Sequence, residues 1–174
     1  MHPAFRALRG VAFAGLVAVG VLAQSARWQE VFIGGGVYFL DPDCYSRMTR
    51  VAALEDGHGP ALRFHDFENA PAGTVPHTTA PLDFLILGIS KALPGSEISP
   101  PRDMAGAWVS PLLGLVFLCG IAVWAWPHPH GLWALVLAAC SPVLAHAFAI
   151  GRPDHQSLVL ALVVAAWIAE SRLP

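Results

Sequence analysis

Residues 104–151 read MAGAWVSPLLGLVFLCGIAVWAWPHPHGLWALVLAACSPVLAHAFAIG, a run without a single Asp, Glu, Lys or Arg. A helix needs about 20 predominantly apolar residues to cross a bilayer, so this run can hold two. Between them lies Pro127-His128-Pro129-His130-Gly131, a short turn rich in helix breakers that predicts antiparallel neighbours. The whole chain has the same character. It is 174 residues long, 55% hydrophobic and 13% charged, against about 25% charged for an ordinary soluble domain. Its mean hydropathy is +0.56. These values predict an all-α integral membrane protein resident in the lipid bilayer. No basic stripe is present to serve a nucleic acid.

Working outward, four apolar segments emerge, at about 8–26, 104–126, 132–150 and 157–170. Arg6 and Arg9 precede the first, and the positive-inside rule places that end in the cytoplasm. The large loop 27–103 is then external or periplasmic, and the short loop 151–156 returns to that same side. A signal peptide is the other reading of the N-terminus, with Ala23-Gln24-Ser25 as a cleavage site. The fourth segment rises roughly 20 Å, less than the ~30 Å hydrocarbon core, as expected of the front piece of a longer protein. Within the large loop, Asp41-Pro42-Asp43 predicts an N-cap and first turn for a short helix over Tyr45–Leu54. Pro81–Leu93 is apolar but too short to span and suits an interfacial helix.

The chemistry-bearing residues lie in the two external loops. Asp41 and Asp43 stand in a turn sequence that could be merely solvated. Asp154, in Gly151-Arg152-Pro153-Asp154-His155-Gln156, is a carboxylate held close to the membrane surface between two spans, and the topology puts it on the same face as Asp41. Two such acids suit Mg²⁺ or Mn²⁺, hard cations that take oxygen ligands and bridge substrate phosphates. Arg47 and Arg50 share a helix face and match phosphate geometry, or else anchor the interface. His77 could bond a phosphate or a metal, or simply be exposed. Cys44 sits among the carboxylates, and Cys119 and Cys140 lie in apolar runs; no disulfide framework is implied.

Three stretches together resemble the N-terminal membrane part of oligosaccharyltransferase catalytic subunits and related bacterial GT-C glycosyltransferases. Asp41-Pro42-Asp43-Cys44-Tyr45-Ser46-Arg47 is similar to the family's first-loop motif, an Asp followed six residues later by an Arg. Asn69-Ala70-Pro71-Ala72-Gly73, continuing through His77 to Pro81-Leu82-Asp83, is similar to the later part of that loop. Gly151–Gln156 is similar to the second-loop Asp motif. The resemblance implies that Asp41 and Asp154 bind the divalent cation and serve catalysis. It also implies that Arg47 and His77 approach the donor phosphate, with Asp43 a supporting partner of the metal site. Gln156 stands where the family usually has an acid or His, so His155 is the replacement ligand on offer.

The implied reaction is transfer of a sugar or oligosaccharide from a polyprenyl-phosphate carrier to a protein or lipid acceptor. The implied location is a bacterial-type inner membrane. A later carboxylate, further spans and an acceptor-recognising domain are expected from the rest of the enzyme or a partner chain, and the isolated fragment is expected to be inactive. The alternative is a non-catalytic membrane subunit whose loop acids only cap helices.

Overall fold

The computed structural model describes residues 3–58, 62–75, 80–94 and 98–173. The chain is mostly helical, with one two-stranded hairpin among the described residues. It divides into two compact units, and the division falls within one long helix. The first comprises Met1–Arg27, Ser110–Ile150 and Gln156–Pro174, and the second Trp28–Val109 and Gly151–His155.

The first unit is apolar. Helix α1 covers Pro3–Gln24, and α5 runs over Pro101–Ala125. Two segments are long and apolar enough to cross a membrane by length and composition: Pro3–Val31, which includes the short helix α2 (Trp28–Val31), and Pro101–Ala125. Only 11% of the apolar window in Pro3–Val31 is buried, against 50% for Pro101–Ala125. Helix α1 therefore turns Leu8, Val11 and Leu22 outward, and Val116, Val123, Leu137, Val143, Leu162 and Val163 do likewise elsewhere in this unit. An apolar exterior of that extent suits lipid better than water. Inside, Phe13, Phe117, Leu118, Leu135 and Phe148 form the core, with the Phe117 and Phe148 rings 5.1 Å apart. Small residues allow close approach there, as membrane helix packing requires: a Cβ on Gly20 would lie 2.5 Å from the Leu118 side chain.

The expected third span, 132–150, is not one helix. It is α6 (Gly131–Ala139) and α7 (Pro142–Ala147). Pro142 has no N–H to continue the ladder, and Ser141, in extended backbone, accepts the Leu144 N–H at 3.3 Å and starts a new helix. The nine residues of α6 rise about 14 Å, under half of the ~30 Å core. Its most extensive packing is along α1 rather than α5, its expected neighbour across the Pro-His-Pro-His turn. Helix α8, His155–Glu170, begins two residues ahead of the expected fourth segment.

The second unit holds the folded part of the large loop. After α2 comes a hairpin that the sequence reading did not anticipate. Strand β1 (Phe32–Ile33) pairs antiparallel with β2 (Gly36–Val37) in the register Phe32↔Val37 and Ile33↔Gly36. Gly34 and Gly35 have φ of 59° and 84°, the left-handed pair that a tight two-residue hairpin turn demands. Helix α3, Pro42–Glu55, starts as the Asp-Pro-Asp turn predicts. Asp41 is its N-cap, accepting the Cys44 N–H, and Pro42 occupies the first turn. Helix α4, Pro81–Ser90, buries Leu82, Asp83, Ile86 and Ser90 and packs on α3, which buries Cys44, Arg47, Met48, Arg50 and Val51. The loop between them folds back through a paired His65 and Thr74. It is tied to α3 where the Ser46 hydroxyl donates to Glu68.

Candidate functional site at the Asp41–Arg152–Asp154 cluster

The second unit brings the two loop motifs together through backbone bonds. The Leu40 N–H donates to Gly151 O at 3.1 Å, and the Gly151 N–H donates to Ala107 O at 2.9 Å. Ala107 O is available because the residue four positions on is Pro111, which has no N–H to offer the helix ladder. Gly151 has φ +73°, and a Cβ there would lie 2.5 Å from Val31 Cγ2. Both facts require glycine at this position. The 151–155 loop is thereby docked beside the start of α3.

Docking places Asp41 and Asp154 around one guanidinium. Arg152 Nε lies 3.9 Å from Asp41 Oδ2, and its Nη2 lies 3.6 Å from Asp154 Oδ2. The other oxygen of each carboxylate is anchored. Asp41 Oδ1 accepts the Cys44 N–H at 3.0 Å, and Asp154 Oδ1 meets His155 Nδ1 at 2.7 Å. Each acid thus holds one oxygen fixed and turns the second toward a shared cation. The Asp41 and Asp154 side chains are 30% and 14% exposed, so neither acid is sealed from solvent.

Charge and burial set the protonation states. For Asp41, burial is the largest influence and works upward. The Cys44 hydrogen bonds and Arg152 outweigh it and hold the carboxyl below its ordinary value. Burial, reinforced by the Asp41 carboxylate, pushes the Cys44 thiol well above its usual range, so it stays protonated and is no thiolate ligand. His155 is half-exposed. With a carboxylate as partner for its Nδ1, the ring orients Asp154 and keeps Nε2 as its second nitrogen, the one that can ligate. Asp43 is exposed in the first turn of α3. His77 lies outside the described residues.

Arg47 does not join this cluster as an open phosphate ligand. It is buried, and its Nη1 donates to Asp83 Oδ1 at 2.7 Å. Arg50 binds the same acid twice, Nε to Oδ2 at 2.6 Å and Nη2 to Oδ1 at 2.8 Å. Asp83 itself is 0% exposed. Burial lowers the pKa of Arg47 below its ordinary value against the opposing pull of Asp83, yet a guanidinium remains charged at any physiological pH. Asp83 was missed as a functional candidate. Its signal was an acid inside the apolar stretch Pro81–Leu93, facing a pair of arginines three residues apart.

The arrangement offers two oriented carboxylate oxygens. Mg²⁺ is commonly bound by one or two carboxylates plus water and substrate phosphate, and this donor set fits that pattern in type. Among the described residues, no group of three or more His, Cys, Asp or Glu side chains is placed to hold a metal ion. Asp41 and Asp154 by themselves would supply only part of a coordination shell. Compared with known proteins, the chain matches no family model, no curated protein and no solved structure.

Proposed function

We propose that the chain is the front portion of a membrane glycosyltransferase of the GT-C type. Its reaction is transfer of a sugar or oligosaccharide from a polyprenyl-phosphate-linked donor to a protein or lipid acceptor, dependent on a divalent cation. Four apolar segments embed it in the bilayer, the N-terminus faces the cytoplasm, and the loop 27–103 is external. The observation that carries this reading is the convergence of Asp41 and Asp154, far apart in sequence, with one oxygen of each acid facing Arg152.

In this reading Asp41 and Asp154 hold Mg²⁺ or Mn²⁺, which when bound offsets the charge that develops on the phosphate leaving group. The chain's own part is preorganisation. The α3 N-cap fixes Asp41, His155 fixes Asp154, and the backbone bonds of Gly151 fix the loop. Fixed carboxylates need no rearrangement as charge develops. The Arg47–Arg50–Asp83 group stiffens the α3–α4 platform on which Asp41 sits.

The test is donor binding in detergent micelles or nanodiscs. A short-chain polyprenyl diphosphate should bind in the presence of Mn²⁺, with its phosphorus resonance broadened by the bound ion. Binding should be lost with a chelator and absent for the prenyl alcohol. Equal binding of the alcohol, or chelator-insensitive binding, overturns the proposal. A second reading, a non-catalytic subunit, is favoured by one fact: Asp41 is fully accounted for as a helix cap. On that reading Asp41→Asn, which keeps the cap, leaves every measured property unchanged.

A further inference from the structure

We infer that the β1–β2 hairpin is a membrane-docking tip. With Trp28, Tyr38 and Ile98 it seats in the boundary between headgroups and acyl chains of the external leaflet. This rests on the proposed function, in which Pro3–Val31 crosses the bilayer and the loop 27–103 is external.

Four observations carry it. First, the tip shows apolar surface. Val31 to Leu40 reads VFIGGGVYFL, ten residues without a charge. Ile33, before the Gly34–Gly35 turn, and Tyr38, just after β2, are each at least half exposed, and so is Ile98. Ile98 lies against the tip: a Cβ on Gly35 or Gly36 would meet its side chain at 3.9 and 3.8 Å. Such a cluster in contact with water marks an interaction surface.

Second, the tip is a built structure. The Tyr38 N–H donates to Val31 O at 2.7 Å, and the Ser99 hydroxyl donates to Gly35 O at 2.7 Å. Phe32 is half-buried, its ring 6.2 Å from Trp108 and 6.3 Å from Trp28. Ile33, its neighbour on the strand, turns to the opposite, open face.

Third, the chain reaches the tip at the right depth. About 20 apolar residues cross the hydrocarbon core. Counted from Arg9, the last charge before Arg27, Gly10–Val31 supplies 22. Strand β1 starts at the next residue, Phe32, so the hairpin begins where hydrocarbon gives way to headgroups. Trp28, exposed at the end of that span, and Tyr38 are residue types that settle at this level.

Fourth, the surface suits lipid rather than a protein. A few exposed side chains around Gly34, Gly35 and Gly36 fall far short of the roughly 20–30 residues a side of a stable protein interface. A lipid surface needs no matching shape, only apolar groups at its boundary. The seat also has a consequence for the candidate site. Tyr38 stands three residues before Asp41, at most about 11 Å of chain. A docked hairpin therefore keeps Asp41 close to the layer in which a lipid-borne phosphate travels.

The experiment places an environment-sensitive fluorophore on the full chain in phospholipid nanodiscs. Cys119 and Cys140 are changed to Ser, and the buried Cys44 stays unlabelled while the fold is kept, so one label per chain certifies each sample. The label sits at Ile33→Cys, at Val19→Cys within α1, or at Asp56→Cys, an exposed position at the end of α3. Nanodisc lipids carry a quenching spin label near the top or near the end of the acyl chain. The Ile33 probe should emit to the blue and be quenched more by the shallow label, as for burial about 5–10 Å into the boundary. The Val19 probe should be quenched more by the deep label. The Asp56 probe should emit as in water and escape both. Adding Ile98→Asp should shift the Ile33 probe to the red and remove most of its quenching, since a carboxylate resists leaving water.

A quenched Val19 probe beside a water-like Ile33 probe overturns the docking tip and leaves the bilayer-spanning reading standing. Blue emission at Ile33 with no quenching by either lipid also overturns it, and assigns the surface to a second copy or another protein. Equal shallow quenching at Asp56 overturns a seat specific to the hairpin, and full quenching retained with Ile98→Asp removes Ile98 from it. No quenching at Val19 overturns the membrane reading itself.

Discussion

Replacing Asp83 by Asn removes one negative charge from a place with no access to water. Asp83 is 0% exposed, and the Arg47 and Arg50 side chains it holds are 5% and 4% exposed. Asn preserves shape and can still accept a hydrogen bond, but two guanidinium groups lose their counter-charge. Removing one partner of a buried ion pair typically costs about 3–5 kcal/mol, a large share of a total stability of about 5–15 kcal/mol. Because the acid joins α4 to α3, the loss falls on the packing between those helices.

Cys44 is a natural reporter of that packing. It is 1% exposed, and burial keeps its thiol protonated, so alkylation requires α3 to open. In a background with the exposed Cys119 and Cys140 changed to Ser, the Cys44 labelling rate follows the opening equilibrium. Asp83→Asn should raise it by roughly 10² to 10³-fold or more, the ratio corresponding to about 3–5 kcal/mol. The triple variant Arg47→Met, Arg50→Leu, Asp83→Leu should return the rate to within about tenfold of wild type, since apolar replacement of a whole buried ionic group is often neutral or stabilising. A labelling rate for Asp83→Asn within about threefold of wild type would refute the idea that this group supports the platform.

Two further outcomes follow from the same geometry. Gly151→Ala should cost about 1–3 kcal/mol for its left-handed backbone alone, with the clash against Val31 in addition. The displaced loop should show as weakened Mn²⁺ binding with Asp41 and Asp154 both intact. For Asp41 the pH dependence has a definite sign. Its carboxyl is held below the ordinary value in the folded protein, so its charge stabilises the fold above that ordinary value and the contribution is lost as pH falls through the lower, folded value. Denaturant unfolding from pH 6 down to 3 should therefore show the wild type converging on Asp41→Asn. Asp41→Ala, which also loses the cap, should lie about 1 kcal/mol lower at every pH. A constant gap between wild type and Asp41→Asn would count against the charge.

Much of this was legible in the residues because it depends on local chemistry. Asp41 as N-cap and Pro42 in the first turn of α3 follow from side-chain and ring geometry that need no tertiary information. The approach of Asp41 to Asp154 was expected from alternating apolar segments that return the chain to one face, and the structure brings both acids to Arg152. The break at Ser141–Pro142 was hidden by an unbroken apolar pattern, although a Ser before a Pro is a sufficient start signal for a helix. The Gly34–Gly35 hairpin was overlooked in a stretch too short to show strand periodicity. Arg47 was expected at a phosphate, and the structure places it on Asp83, 36 residues away. Only the packing of α4 on α3 decides that, and no local pattern encodes it. Arg152 carried no reading of its own in the sequence, because its place between two carboxylates depends on how the two loops fold together.

The most direct measurement of the central claim is a Mn²⁺ titration of the full chain followed by electron paramagnetic resonance, with pyrophosphate present. Wild type, Asp41→Asn, Asp154→Asn and the double variant are compared. If the two acids share one ion, each single substitution removes the bound-ion population and the double variant is no worse than either single. Wild-type binding retained in Asp41→Asn or in Asp154→Asn contradicts a site built from both.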